Sequence, residues 1–462
     1  MANNKRTARR RISRAMAFAL TVTGAPSFAV AAEQIAAPPL PVAAGPTTTP
    51  SFLAMSDIHY TAQSHQACGQ SPDQIETNPA LWIAAQAEAK LLIQREKPAF
   101  AIYLGDLPSH CDSRADTDAD FTAALDGLAN IAGTATKIIY VPGNNDSRAG
   151  NYQPFTASNG TPLDLSTAWK GSPVLNAQPG DMIDASHTPM GYYSVYAVQA
   201  TATAASPALR VIVLNTNMFT AKYNSNTGLT NDANAQLEWL NGQLKEARSK
   251  REKVIIAMHV PPGVDGYSGG AMWDTNLLYT GHDPELAPGW LQATFLHVVA
   301  AYRPEIVGLL SSHTHYNEIR RLRDCSRKLP RLGAFTELAV AIPAITSDHG
   351  NNPSIKIFSY DDRFEWTENR TYYASDETGA GWATNTPLSF DLVNYPCPHC
   401  AKGDTLASHI ARLDKAKRIG TSKKLTAMMI AWLKVGAPPP ANPAKYRLSL
   451  DVTCESPIST PK

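Results

Sequence analysis

Short runs rich in Val, Ile and Leu recur along the chain at residues 52–55, 99–104, 137–141, 209–214, 253–258, 306–310 and 355–359. Apolar runs of this length without polar alternation suit strands buried on both faces. Between them lie helical patterns. Residues 235–248 place Leu237, Leu240, Leu244 and Ala247 at spacings of three and four behind the cap residues Asn231 and Asp232, and residues 81–96 follow the same rule. Strands alternating with helices predict an α/β fold. Residues 147–191 are rich in Gly, Pro, Asn, Ser and Thr and predict long surface loops, which in compact enzymes often line sites. Residues 33–50, rich in Pro, Ala and Thr, predict an extended linker. Residues 401–436 predict a helical appendage with Leu406, Ile410 and Leu413 on one face.

Composition narrows the class. Of 462 residues, 44% are hydrophobic and 18% charged, which excludes disorder and leaves ample chain for a large core. The first 32 residues carry six basic residues (Lys5, Arg6, Arg9, Arg10, Arg11, Arg14) and no acidic one, then an apolar run from Ala15 to Val22 and the small-residue pattern Ala29-Val30-Ala31. Charged, apolar and small-residue regions in that order predict a cleaved export signal, hence a periplasmic or secreted protein with no transmembrane anchor. Without it, 35 basic residues face 40 acidic ones, so no nucleic-acid-binding surface is evident and any affinity for phosphate is local. The six cysteines (Cys68, Cys111, Cys325, Cys397, Cys400, Cys454) suit an oxidising compartment. Cys397-Pro398-His399-Cys400 reads as a structural disulfide loop, because no second C-x-x-C completes a four-cysteine zinc site.

The polar residues that follow successive strand runs are of restricted kind: Asp57-Ile58-His59, Gly105-Asp106, Gly143-Asn144-Asn145-Asp146, His259 and His313-Thr314-His315. Each alone is weak, since a lone His after an apolar run is usually a satisfied buried side chain. Together they are the oxygen and imidazole donors that a pair of divalent metals about 3.5–4 Å apart requires, with one carboxylate to bridge them. Strands ending at one carboxyl edge bring such residues together from distant parts of a chain.

These five motifs, in this order, resemble the calcineurin-like metallophosphoesterases over roughly residues 52–361. Within that superfamily the chain is similar to the acid sphingomyelinase-like phosphodiesterase branch through Gly105-Asp106-Leu107-Pro108-Ser109-His110, His259-Val260-Pro261-Pro262-Gly263, residues 236–240 and His349-Gly350-Asn351-Asn352-Pro353. The resemblance implies a four-layer αββα sandwich in a domain at residues 51–365, with residues 366–462 as a C-terminal extension packed on it. It implies one metal held by Asp57, His59, Asp106 and His315 and a second by Asp106, Asn144, His259 and His313, the ions being zinc, with iron or manganese accepting the same ligands. It further implies hydrolysis of a small phosphodiester, a phospholipid head group or a nucleotide-like one, by metal-bound hydroxide.

Two departures from the family pattern bear on this expectation. Asn145 stands where the family often has a proton-donating histidine, and an amide can bind a substrate phosphate but cannot act as a general acid. His110, in the sphingomyelinase-like motif, becomes the acid candidate; a loop histidine beside Cys111 is the alternative. Gly-Asn-Asn-Asp also resembles the endopolyphosphatase-like branch, which keeps a polyphosphate or nucleotide phosphatase open, and a metal-stabilised pseudoenzyme is the reading from another class. Ser312 replaces the glycine usual before His313, a change expected to alter the turn without deleting a ligand. Asp146 reads as an orienting carboxylate or an Asx turn. Tyr267, Gly269, Gly270 and Trp273 form a loop that either meets substrate or packs on itself. Asn369-Arg370-Thr371 fits a glycosylation sequon.

Overall fold

The computed structural model describes residues 49–62, 76–110, 114–200, 207–265, 269–286, 288–323, 335–382, 384–391, 433–437 and 449–453. The export signal, the linker up to residue 48, all six cysteines, Tyr267 and most of the expected helical tail lie outside them. Among the described residues no helix is long and apolar enough to cross a membrane.

In chain order the strands are β1 (Ser51–Met55), β2 (Ala101–Tyr103), β3 (Ile138–Tyr140), β4 (Val174–Leu175), β5 (Met182–Asp184), β6 (Tyr193–Val198), β7 (Leu209–Leu214), β8 (Lys253–Met258), β9 (Leu278–Tyr279), β10 (Gly289–Trp290), β11 (Ile306–Ser311), β12 (Ile319–Arg323), β13 (Phe335–Ala341), β14 (Ser354–Tyr360), β15 (Trp366–Tyr373), β16 (Leu388–Asp391) and β17 (Ser449–Val452). The helices are α1 (Pro79–Glu96), α2 (Arg114–Ala132), α3 (Ala221–Thr227), α4 (Thr230–Lys250) and α5 (Leu291–Ala301). One mixed sheet has the order β16-β15-β14-β1-β2-β3-β4 and the other β17-β12-β13-β11-β8-β7-β6-β5. Parallel neighbours β1-β2-β3 and β7-β8-β11 are joined through α1, α2, α4 and α5, as parallel pairing demands.

Three separate apolar layers make the fold a four-layer αββα sandwich. Leu53, Met55, Tyr103 and Tyr140 pack on one side of the first sheet against Trp82, Leu92, Phe121 and Leu125 of α1 and α2. Phe52, Ala54 and Ile102, on alternate positions of the same strands, face Val211, Ile255 and Leu310 of the second sheet. Ile212, Ile256 and Leu309 turn outward against Leu237, Leu244 and Phe295 of α4 and α5. Both faces are covered, which is why the strands read as unbroken apolar runs.

The boundary expected at residue 365 lies within a pair of hydrogen-bonded strands. It falls in the hairpin where β14 pairs with β15 from Ser354↔Tyr373 to Tyr360↔Trp366. β15 and β16 extend the first sheet, and β17 lies parallel to β12 at the edge of the second. The described parts of the C-terminal extension are therefore built into both sheets, because each edge offers backbone donors and acceptors that the returning chain satisfies.

Candidate metal centre

Five strand ends converge. β1 delivers Asp57 and His59, β2 Asp106, β3 Asn144, β8 His259, and β11 His313 and His315. The loops touch through their backbones: Asp57 N donates to Gly105 O at 2.9 Å, and Ser312 N to His259 O at 2.9 Å. Crowding forces unusual conformations. Asp57, His59, Asp106, His313 and His315 have φ of 48°, 45°, 61°, 70° and 62°, a left-handed region that non-glycine residues rarely adopt and that Asn, Asp and His tolerate best. Strain of this kind persists where surrounding structure over-determines it.

Ligand atoms of Asp57, His59 and His315 all lie within 4.8 Å of one another, as do those of Asp106, His259 and His313. Asp106 Oδ2 connects the two groups, 3.4 Å from His59 Nε2 and 3.2 Å from His259 Nε2. Asn144 Oδ1 is 3.1 Å from His259 Nε2, and its amide nitrogen is turned away by donating to Asn151 Oδ1 at 3.0 Å. Asp57 Oδ1 and His59 Nε2 are fully buried with no hydrogen-bond partner among the described residues, an arrangement that costs free energy unless something absent from the chain satisfies them. Two carboxylates, an amide oxygen and four imidazoles are a donor set for borderline divalent ions, so the residues present fit a metal pair.

Three of the four imidazoles are neutral at pH 7, as ligation needs. Burial is the largest influence on His59, His313 and His315 and lowers all three, His59 to about 4 and the other two well below their usual range. Burial opposes charge on the fourth, His259, but the Asp106 and Asp57 carboxylates outweigh it and raise it to about 9 in the absence of an ion. Burial alone would raise Asp106, but His259, His59 and His313 around it hold its carboxyl well below the usual range. Burial lifts Asp57 to about 7, with His259 opposing and Asp106 reinforcing the rise.

Neighbouring groups fix this geometry. The Asp146 carboxylate accepts from the backbone N–H of Asp106 (2.9 Å), Leu107 (2.7 Å) and Gly143 (2.7 Å), clamping two ligand loops together. Asn217 Nδ2 donates to Gly143 O at 2.8 Å, and buried Gln236 brackets Asn215 through both its backbone groups. Ser312 does more than replace a glycine: its hydroxyl donates to Leu104 O at 3.0 Å and sits 2.8 Å from His259 Nδ1, which is itself 2.6 Å from Leu104 O. His259 Nε2 is thereby left facing the ligands.

His110 stacks on His59 with ring centroids 4.3 Å apart. Its Nδ1 lies 2.8 Å from Glu76 Oε1, which also accepts from the His110 backbone N–H. Burial opposes charge on His110, but the Glu76 hydrogen bond and charge outweigh it and raise the imidazole to about 9. Asn145, expected at the substrate, donates from Nδ2 to Asp106 Oδ2 at 3.0 Å; the same Nδ2 lies 3.3 Å from His110 Nε2, which accepts no hydrogen bond while the imidazole is protonated. On the opposite flank His349 stacks on His315 at 4.3 Å, with Nε2 3.5 Å from Asp348 Oδ2.

Sequence reasoning missed Glu76, Asn217 and Asp348. None lies in a strand-end motif, and only the hydrophobic run that begins α1 placed Glu76 near an element boundary. Trp273 is buried, with its Nε1 donating to Val260 O at 3.0 Å, so that part of the loop packs on itself. Asn369 is buried and accepts from Lys356 Nζ at 3.3 Å, which gives the sequon a structural use.

The family model described as calcineurin-like phosphoesterase matches residues 50–317. The chain is 31% identical to the cyclic GMP-AMP phosphodiesterase SMPDL3A of Bos taurus over 34% of its own length and 32% of the relative's. It is 25% identical to acid sphingomyelinase-like phosphodiesterase 3b of Mus musculus over 67% of each chain, and 24% identical to the Homo sapiens SMPDL3A over 69% and 68%. The aligned part thus spans about a third of the bovine relative and two thirds of the other two. A dimetal phosphatase from Danio rerio is similar in structure with a TM-score of 0.43 at 14% identity, covering 70% of this chain and 96% of that one.

Proposed function

Because the chain belongs to the calcineurin-like phosphoesterase family, we propose that it is an exported enzyme that hydrolyses a small phosphodiester at a two-metal centre. The observation that carries this reading is the convergence of seven donors from five strand ends, with Asp57 Oδ1 and His59 Nε2 buried and without a hydrogen bond among the described residues. Asp57, His59, Asp106 and His315 would hold one ion and Asp106, Asn144, His259 and His313 the other, zinc first, with iron or manganese accepting the same set. Two such ions supply Lewis acidity toward phosphoryl oxygens and acidify a water.

The chain's own part is positioning and proton delivery. Glu76 fixes the His110 ring through Nδ1 and keeps it protonated at neutral pH, so Nε2 presents a proton to the departing alkoxide. Asn145 donates to Asp106 beside His110 and lends its second N–H to the phosphoryl group when substrate arrives. Export rests on the ordered charged, apolar and small-residue regions of the first 32 residues. The names of the relatives support both substrate types, a cyclic dinucleotide and a sphingomyelin-like head group.

The test is metal content per chain, with turnover of bis-p-nitrophenyl phosphate, p-nitrophenyl phosphate, ATP and polyphosphate before and after chelation and metal return. Two ions and diester turnover that vanishes and recovers are expected. Bound ions without turnover of any ester would make the protein a metal-stabilised binding protein, and comparable turnover of all four would remove the dedicated diesterase.

A further inference from the structure

Residues 433–437 return from the C-terminal region to the flank of the metal centre where His349 stacks on His315. Asn317 N donates to Leu433 O at 2.9 Å, Asn352 N to Lys434 O at 3.1 Å and Asn352 Nδ2 to Val435 O at 2.8 Å. The segment is therefore fastened to two loops, one following the ligand His315 and one following His349. Between them lies Lys434, only 7% exposed.

The surroundings of this lysine are unusual. Among the described residues its ammonium has no ion pair and no hydrogen bond. It sits beside Gly350, where an added Cβ would be 2.9 Å from Nζ, and its charge reaches His349. Asp348, whose carboxylate lies beside His349, responds instead to Glu76 and His110. Burial lowers the lysine's pKa with no opposing carboxylate. A cation so little exposed and without a partner is costly, and a Leu or Met would fill the same space without that cost. A cation at this position acquires a use if an anionic group arrives from outside the chain.

We infer that Lys434 is a specificity-determining residue, whose ammonium receives a second anionic group of the substrate, a phosphate, sulfonate or carboxylate, while the scissile phosphate occupies the metal centre. This rests on the phosphoesterase reading above and adds a direction to it: a flanking anion is attracted and a flanking quaternary ammonium repelled. The C-terminal extension thus contributes to substrate selection from outside the strand-end motifs.

The experiment compares binding of 2-phosphoglycolate and phosphocholine, which carry the same phosphate beside opposite charges, to the metal-loaded full chain by isothermal titration calorimetry. The wild type should bind phosphoglycolate more tightly. Lys434→Met should cut the affinity ratio about tenfold, the loss of one hydrogen bond to a charged group, and Lys434→Arg should retain it. Melting temperatures check folding, and Lys434→Gln is read in the same way if the Met variant does not fold. A ratio unchanged by loss of the charge, or a wild-type preference for phosphocholine, overturns the inference while leaving the phosphoesterase intact. Failure of both ligands to bind overturns the two readings together.

Discussion

Gly143→Ala tests whether the two ligand loops must touch. A Cβ at Gly143 would lie 2.1 Å from Asp106 Oδ1 and 2.3 Å from Asp106 N, whereas ordinary contact begins near 3.4 Å. The strands on which these loops ride are paired and buried, so the shortfall of about 1 Å is met by moving backbone, at about 1–3 kcal/mol. The same shift stretches Gly143 N to Asp146 Oδ2 (2.7 Å) and Asn145 N to Asp106 Oδ1 (2.9 Å), bonds to charged acceptors worth about 1.5–3 kcal/mol each. The expected loss is on the order of 5 kcal/mol, similar to the whole stability of a marginal domain. Gly242→Ala is the control: Gly242 is exposed inside α4 with open space around it, and gains about 1 kcal/mol from the better helix former. Urea unfolding of metal-free protein reads both variants, and ions bound per chain reads the site. A Gly143→Ala protein within 1 kcal/mol of wild type that retains two ions would refute the steric argument.

Further outcomes follow from the same structure. His110→Gln should lower turnover of diesters with poor leaving groups by about a hundredfold while sparing nitrophenyl esters, as loss of a general acid does; equal loss on both would remove His110 from that role. Glu76→Gln should shift the alkaline limb of the rate on poor leaving groups to lower pH, because Glu76 raises His110 to about 9; an unmoved limb in a pH–rate profile would refute the pairing. Glu337 is buried in β13 without a cationic hydrogen-bond partner among the described residues, and burial raises it from 4.5 to about 8. A raised carboxyl contributes stability below its unfolded value that is lost as pH climbs through the folded one, on the order of 4–5 kcal/mol here. Urea titrations at pH 4.5 and 8.5 should therefore show Glu337→Gln close to wild type at the lower pH and more stable at the higher. Chelation should lower the melting temperature as well as activity, since ions that bind only the folded chain stabilise it by mass action.

The candidate donors were legible because each directly follows an apolar run, and residues delivered by strand ends keep their sequence signature. What they do to the backbone was not, since no local pattern announces that Asp57, His59 and Asp106 adopt positive φ. β12 escaped notice because Ile-Arg-Arg-Leu-Arg reads as a solvated run. In the fold Arg320 is fully buried, donating to Pro262 O and Val264 O and pairing with Glu318, and Arg321 and Arg323 share Asp451 of β17. Partners as distant in sequence as Pro262 and Asp451 leave no periodic trace. Glu76 and Lys434 are hidden for the same reason: one precedes α1, the other lies in a tail read as an appendage, and only three-dimensional packing places either beside a histidine.

The left-handed backbone at five of the seven donors restricts how this site could be re-engineered for another ion. At positions 57, 59, 106, 313 and 315 a replacement by Glu or Cys would have to occupy a conformation those side chains seldom take. Asn144 and His259 have no such φ, so a search for altered metal preference has two permissive positions in the first instance. Both belong to the donor set of Asp106 and His313, so one half of the centre should accept retuning while the other, built from Asp57, His59 and His315, keeps its original preference.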